Sequence, residues 1–270
     1  MDRRPLVALG AALACAVALA VVGFLAFGVG GVQARDAGVL DAFVGLSRPS
    51  VNALVDRVAH LADEGPYALA GLALAAVAIA RRRPQRAVAV VALLVVTGLT
   101  TLLLKHLCSE PRVLDVMGEG GPDRLAWPSG HATAAMTLAL CAVLVAPPRL
   151  RALAVVVGGT FALAVGYAVM VLRWHYPSDV LAGFLVAGTW TSLARAVLAV
   201  RERDEPAPAP GPGLGAAFGF VSAVAAAVGI VVVAVHAGAA RYALERPSLV
   251  AVALGLAAMA AALPAALSRS

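Results

Sequence analysis

The feature that most constrains the fold of this 270-residue chain is a series of long apolar runs separated by short polar segments. A membrane-spanning helix needs about 20 apolar residues. Hydrophobic residues make up 61% of the chain and charged residues 13%, which excludes a water-soluble globular domain and favours an all-α, polytopic membrane protein. The predicted spans are, approximately, 6–30, 66–80, 87–104, 130–147, 152–172, 180–199, 214–236 and 247–267.

A proline-rich segment divides these spans into two groups. Residues 201–213 predict a stiff cytoplasmic linker. We expect residues 1–200 to form a six-span core and residues 214–270 to form a C-terminal two-helix transmembrane hairpin. Residues 50–63 place apolar side chains on one helical face and polar side chains on the other, which predicts an amphipathic helix on the outer surface of the core.

Arginine is distributed unequally between the connecting segments. The short loops at 81–86 and 149–151 are rich in arginine, and cytoplasmic loops of membrane proteins carry an excess of positive charge. We therefore expect these loops to face the cytoplasm of a cell-membrane protein. The formal net charge of +6 is explained by topology, so no nucleic-acid partner is predicted.

Three polar motifs lie beside predicted spans. In the first, Ser129 is a good helix N-cap and Gly130 permits close backbone approach, so the start of this helix can bind an anion. His131 adds a titratable donor in the first turn. The alternative is a capped helix with an interfacial histidine.

The second motif pairs His175 with Asp179, four residues later. If this segment forms a helical turn, the carboxylate can reach the imidazole and fix its tautomer. Such a base and orienting group activate a nucleophile in many enzymes. The alternative is a helix start at which Asp179 complements the dipole.

The third motif contains Lys105, which is the only lysine in the chain, and Arg112. The alternative for Lys105 is ordinary snorkelling at the membrane interface. No span separates Lys105 from Ser129, and two spans separate His131 from His175. All three motifs are therefore predicted on one membrane face, which is the outer face by the arginine distribution.

Together these groups suit phosphoryl transfer through a phosphohistidine. Cations stabilise the phosphoryl oxygens, one histidine attacks phosphorus and the other protonates the leaving oxygen. No carboxylate cluster in the sequence suggests a metal site, and we expect no cofactor.

The three motifs resemble the signature motifs of the type-2 phosphatidic acid phosphatase family, the integral-membrane lipid phosphate phosphatases. The resemblance covers roughly residues 40–200. It implies a metal-independent hydrolase in which His175 is the nucleophile, Asp179 orients it and His131 is the general acid. The phosphate-binding residues implied by the resemblance are Lys105, Arg112, Ser129 and Gly130.

The chain departs from the family pattern at two places. Pro111 precedes Arg112, whereas the family has Arg-Pro at this point. The third motif usually has Ser-Arg before the nucleophile, where this chain has Ala168 and Val169. Arg173 is the only nearby cation that could substitute, and we include it among the predicted phosphate-binding residues.

The resemblance implies a lipid phosphate or diphosphate substrate of the polyprenyl diphosphate, phosphatidic acid or phosphatidylglycerol phosphate type. Two alternatives stay open at this point. One is a lipid phosphotransferase that uses the same site with a different acceptor. The other is a non-catalytic polytopic scaffold or transporter, which the absence of ionisable residues deep within the predicted spans disfavours.

Overall fold

The computed structural model describes residues 3–108, 122, 125–202 and 239–269, and the regular secondary structure of these residues is helical. The first part contains α1 (Arg4–Gly28), α2 (Gly30–Val44), α3 (Pro49–His60), α4 (Glu64–Ala80) and α5 (Pro84–Leu107). The remaining helices are α6 (Gly130–Val145), α7 (Arg151–Val171), α8 (Pro177–Arg201), α9 (Ala239–Leu244) and α10 (Pro247–Arg269). Several begin at proline, whose fixed φ and missing N–H suit the first helical turn.

The described helices confirm the predicted membrane class. Five of them, α1, α5, α7, α8 and α10, are long and apolar enough to cross a membrane, and α3 with α4 makes a sixth candidate that is bent by 54°. The amphipathic helix predicted at 50–63 corresponds to α3. The span predicted at 214–236 and most of the predicted linker lie outside the described residues.

Two elements of the core differ from the sequence prediction. The helix at the predicted span 130–147 has only 16 residues, or about 24 Å, which is less than the hydrocarbon thickness of about 30 Å. Most of α6 is buried by its neighbours, so its first turn lies inside the helical bundle. The second difference is α2, which the sequence did not predict because its composition is mixed and has no clear apolar period.

Small residues allow the helices to approach closely, as is common in membrane bundles. A Cβ atom added at Gly183 of α8 would lie 2.8 Å from the Ser129 carbonyl oxygen, where α6 begins. On the other side of the core, a Cβ at Gly159 would lie 2.7 Å from the Ala260 carbonyl oxygen of α10. The C-terminal helix therefore packs directly against α7.

Arginines of the predicted cytoplasmic loops lie at the opposite end of the bundle from the motifs. Arg86 makes two hydrogen bonds to the Glu202 carboxylate, at 3.0 and 2.7 Å, and donates to the Leu144 carbonyl at 3.1 Å. Arg81 donates to the Val145 carbonyl. These contacts satisfy carbonyl groups that the C-terminus of α6 leaves without helical partners.

Candidate active site

One end of the bundle brings the described parts of the three motifs to a common cavity. At this end α5 and α7 terminate while α6 and α8 begin. The cavity has a volume of about 800 Å³, and its lining includes Lys105, Gly130, His131 and His175. The prediction from span parity, that the motifs share one membrane face, agrees with this arrangement.

His175 is held just before α8 and is 6% exposed, while Asp179 is completely buried. The His175 Nδ1 atom lies 3.5 Å from Asp179 Oδ2, which is close enough for an ion pair but does not make a hydrogen bond. The same carboxylate oxygen accepts a 2.9 Å hydrogen bond from the Tyr176 amide. This contact fixes Asp179 beside Nδ1 and leaves Nε2 of His175 for a substrate.

The start of α6 is bound to the start of α8. The Ser129 amide donates to the Asp179 carbonyl at 3.0 Å, and the Ser129 hydroxyl accepts from the Ala132 amide at 3.3 Å. Ser129 is therefore the N-cap that the sequence predicted. Gly130 and His131 follow in the first turn and line the cavity, where the helix N-terminus favours an anion.

Lys105 lies in the last turn of α5 and lines the same cavity. Its neighbour His106 contacts the Leu102 carbonyl at 2.8 Å through Nδ1 and is not among the lining residues. Arg112 lies outside the described residues. The structure thus brings Lys105, Gly130, His131 and His175 together, with Ser129 and Asp179 directly behind them.

Arg173 occupies a different place from the one expected of a phosphate ligand. Its backbone has φ 64°, and the Arg173 and Trp174 amides donate to the Met170 and Val169 carbonyls. These bonds form a left-handed turn that ends α7 and directs the chain toward His175. The Arg173 side chain contacts Asp41 Oδ1 at 3.4 Å and does not line the cavity.

We therefore expect Arg173→Gly to change kcat/KM by less than about threefold. Glycine adopts positive φ without steric cost, and an exposed ion pair contributes less than about 1 kcal/mol. Loss of a charged phosphate contact would cost about 1.5–3 kcal/mol, or roughly a tenfold to hundredfold loss of kcat/KM. The measurement is kcat/KM for phosphate release from a lipid phosphate, made for the wild type and the variant in the same detergent.

Arg82 supplies the matched control for this variant. It has φ 58° in the same kind of turn after α4, at the end of the bundle away from the cavity. Arg82→Gly and Arg173→Gly should have similar small effects. A loss confined to Arg173→Gly would instead support a phosphate contact.

Two aspartates to which the sequence assigned no site role reach the motifs from other segments. Asp36 of α2 accepts hydrogen bonds from the Ser178 amide at 3.1 Å and from the Ser178 hydroxyl at 2.5 Å. It therefore caps the first turn of α8 from another helix. Asp36 thereby anchors the segment that carries His175 and Asp179.

Asp63 lies at the bend between α3 and α4 and lines the cavity. Its Oδ1 atom is 3.0 Å from His131 Nε2, and its Oδ2 atom is 2.8 Å from His60 Nδ1. The hydrogen bond to His60, aided by the one to His131, lowers the pKa of the Asp63 carboxyl. Asp63 is therefore a carboxylate at neutral pH. Asp63 is the last residue of the amphipathic segment predicted at 50–63, and the sequence predicted no site role for it.

Metal-ligating side chains do not cluster in the part of the chain that the structure describes. No group of three His, Cys, Asp or Glu residues there has the arrangement of a metal site. The polar groups that line the cavity include two imidazoles, two carboxylates, an ammonium group, several hydroxyl groups and a helix N-terminus.

Comparisons with known proteins give one family match and one fold match. Residues 86–203 match the family model of the PAP2 superfamily. A solved structure described as the first transmembrane PAP2 type phosphatidylglycerolphosphate phosphatase from Bacillus subtilis has the same fold, with a TM-score of 0.56 and 20% sequence identity. The match covers 76% of this chain and 97% of that chain. No protein of curated function matches significantly.

Proposed function

We propose, from the premise that residues 86–203 belong to the PAP2 superfamily, that this membrane protein is a phosphatase that hydrolyses a lipid phosphate or diphosphate through a phosphohistidine. The observation that carries the proposal is one cavity lined by His131, His175 and Lys105, with Asp179 buried behind His175. A nucleophile, an acid and a cation are the groups that metal-independent phosphoryl transfer needs.

The proposed reaction has two steps. His175 Nε2 attacks phosphorus, the bond from phosphorus to the leaving oxygen breaks, and that oxygen takes a proton from His131. Water then attacks the phosphohistidine and gives a proton to His131, and phosphate leaves as His175 is regenerated. Asp179 stabilises the charge that His175 acquires while it is bonded to phosphorus.

Lys105 and the N-terminus of α6 stabilise the charge that spreads over the phosphoryl oxygens in both steps. Lys105 lines the cavity from α5, and Gly130 and His131 line it from the first turn of α6. Ser129 acts as the cap that fixes this turn. Arg112 keeps the phosphate-binding role that the family resemblance implies.

The depth of the cavity favours a lipid substrate. Thr97 and Lys105 both line the cavity, and their separation of eight residues on α5 corresponds to about 12 Å along the helix. The lining between these two residues includes Leu102, which is 53% exposed. A headgroup at the histidines would therefore leave its hydrocarbon chain beside α4 and α5 at membrane depth.

A phosphorylated headgroup on a hydrocarbon chain is found in polyprenyl diphosphates, phosphatidic acid and phosphatidylglycerol phosphate. The last of these is the compound named in the description of the Bacillus subtilis structure. We place the site on the extracytoplasmic face of the cell membrane. Support for this orientation comes from Arg81 and Arg86, which lie at the opposite end of the bundle, where the cytoplasmic loops are predicted.

Phosphate release from a panel of purified lipid phosphates, with EDTA present, tests the proposal. We expect release from at least one long-chain lipid phosphate, no loss on chelation, and slower release from short-chain analogues. Activity that disappears with EDTA and returns with Mg²⁺ would contradict the metal-independent mechanism. Release from none of the lipids would contradict the proposed function.

A further inference from the structure

Asp63 forms a bridge between two imidazoles at the mouth of the cavity. One carboxylate oxygen contacts His131 Nε2 at 3.0 Å and the other contacts His60 Nδ1 at 2.8 Å. His60 is exposed on α3, whereas the His131 side chain is 26% exposed. The bridge therefore connects the solvent-facing surface of α3 with a histidine of the proposed reaction.

Helix capping would be the ordinary explanation for an aspartate at this position, but the contacts of Asp63 do not support it. Aspartate at a helix N-cap usually accepts a hydrogen bond from a backbone amide of the first turn. Asp63 is the N-cap of α4 but makes no such side-chain hydrogen bond. Its carboxylate is directed instead to the two histidines, so capping α4 does not account for its contacts.

The surroundings of His131 destabilise its charged form, so a general acid at this position requires a negative charge nearby. A general acid must hold two ring protons before transfer, so His131 must be an imidazolium. Lys105 lines the same cavity, and a nearby ammonium group disfavours a second cation, as does partial burial. A carboxylate on Nε2 opposes both effects and fixes the ring orientation.

Neighbouring rings restrict the movement of His131. The centroid of Trp174 lies 5.3 Å from that of His131 and 5.6 Å from that of His60. The His131 and His175 centroids are 6.3 Å apart, so one phosphoryl group between them can contact both rings. With Nε2 on Asp63, the His131 nitrogen that remains for the leaving oxygen is Nδ1.

We propose that Asp63 is the positioning residue of the general acid: it accepts a hydrogen bond from the His131 Nε2–H group, stabilises the imidazolium, and is itself held by His60. This inference rests on the proposed function, because it assigns a partner to the acid of that reaction. No bond is made or broken at Asp63. The proton that reaches the leaving oxygen comes from His131 Nδ1, and the proton on Nε2 stays in its hydrogen bond to Asp63.

The test is Asp63→Asn, measured with two substrates that differ in leaving group. Phosphatidic acid releases an alkoxide that needs protonation, whereas p-nitrophenyl phosphate releases a stabilised phenolate that does not. We expect kcat/KM to fall about 10- to 100-fold for phosphatidic acid and less than about threefold for p-nitrophenyl phosphate. Asp63→Glu should recover part of the loss, because it restores the carboxylate.

Asp56→Asn is the matched control. Asp56 contacts His60 Nε2 at 3.4 Å from the previous turn of α3 but does not line the cavity, so both kcat/KM values should stay within about twofold of wild type. Equal losses on the two substrates in Asp63→Asn would indicate a general structural role and overturn the inference. Unchanged activity on phosphatidic acid would overturn it as well.

Failure of the proposed function would look different. In that case the wild-type protein would release phosphate from neither substrate. The positioning role of Asp63 would then be refuted together with the proposed function. If only the inference is wrong, the wild type stays active and Asp63→Asn shows one of the two contrary patterns. Trapping the phosphorylated protein during p-nitrophenyl phosphate turnover also checks that Asp63→Asn retains a folded site.

Discussion

His175→Ala is expected to abolish phosphate release, with kcat lowered at least about 10⁴-fold. The imidazole is the proposed covalent carrier of the phosphoryl group, and alanine offers no atom to replace Nε2. His131 cannot take over, because its ring is on the other side of the cavity, 6.3 Å away between centroids, with one nitrogen bound to Asp63.

The measurement combines steady-state release of phosphate with acid-labile labelling of the protein by a radioactive lipid phosphate. Both signals should be absent in His175→Ala. His106→Ala is the control, because His106 lies at the same end of the bundle, contacts the Leu102 carbonyl through Nδ1 and is not among the described residues that line the cavity. Acid-labile labelling that persists in His175→Ala would contradict the assignment of the nucleophile.

His131→Ala is expected to lower kcat for phosphatidic acid about 10²- to 10⁴-fold, which is the usual contribution of general acid catalysis. The variant keeps His175, Asp179 and Lys105, so attack on phosphorus stays possible when the leaving group needs no proton. We therefore expect p-nitrophenyl phosphate to form the phosphorylated protein in His131→Ala, although hydrolysis of that intermediate should be slow.

Rapid mixing with p-nitrophenyl phosphate checks this expectation. One equivalent of nitrophenolate should appear in a burst, followed by a slow steady state, because His131 is also proposed to accept the proton from water. The absence of both the burst and the label in a folded His131→Ala protein would assign His131 to phosphate binding instead. The double variant with Asp63→Asn should lose no more than His131→Ala alone, since Asp63 is proposed to act through His131.

Much of the architecture was predictable from the sequence because it depends on local patterns. The lengths of apolar runs determine which helices cross a membrane, and the described helices agree with that prediction for α1, α5, α7, α8 and α10. The motif residues lie at helix ends, where proline, serine and glycine define the boundary. Parity of the spans therefore sufficed to place Lys105, His131 and His175 at one end of the bundle.

The immediate surroundings of these residues depend on packing between distant segments. Asp63 is 68 residues from His131, and Asp36 is 142 residues from Ser178. No periodicity encodes either contact, because each depends on how α2 and the bend between α3 and α4 lie against the bundle. Arg173 is only two residues before the proposed nucleophile His175 in the sequence, and it was predicted to bind phosphate for that reason.

In the tertiary structure the Arg173 side chain is directed away from the cavity. A left-handed backbone at the end of α7 directs the Arg173 side chain toward Asp41 of α2, while the following residues enter the site. Sequence alone thus determined the membrane helices, the end of the bundle at which the motifs meet, and the types of reactive residue. Only the packed bundle decided which carboxylate faces His131, because side-chain partners across helices depend on how distant backbones approach one another, which no local spacing records.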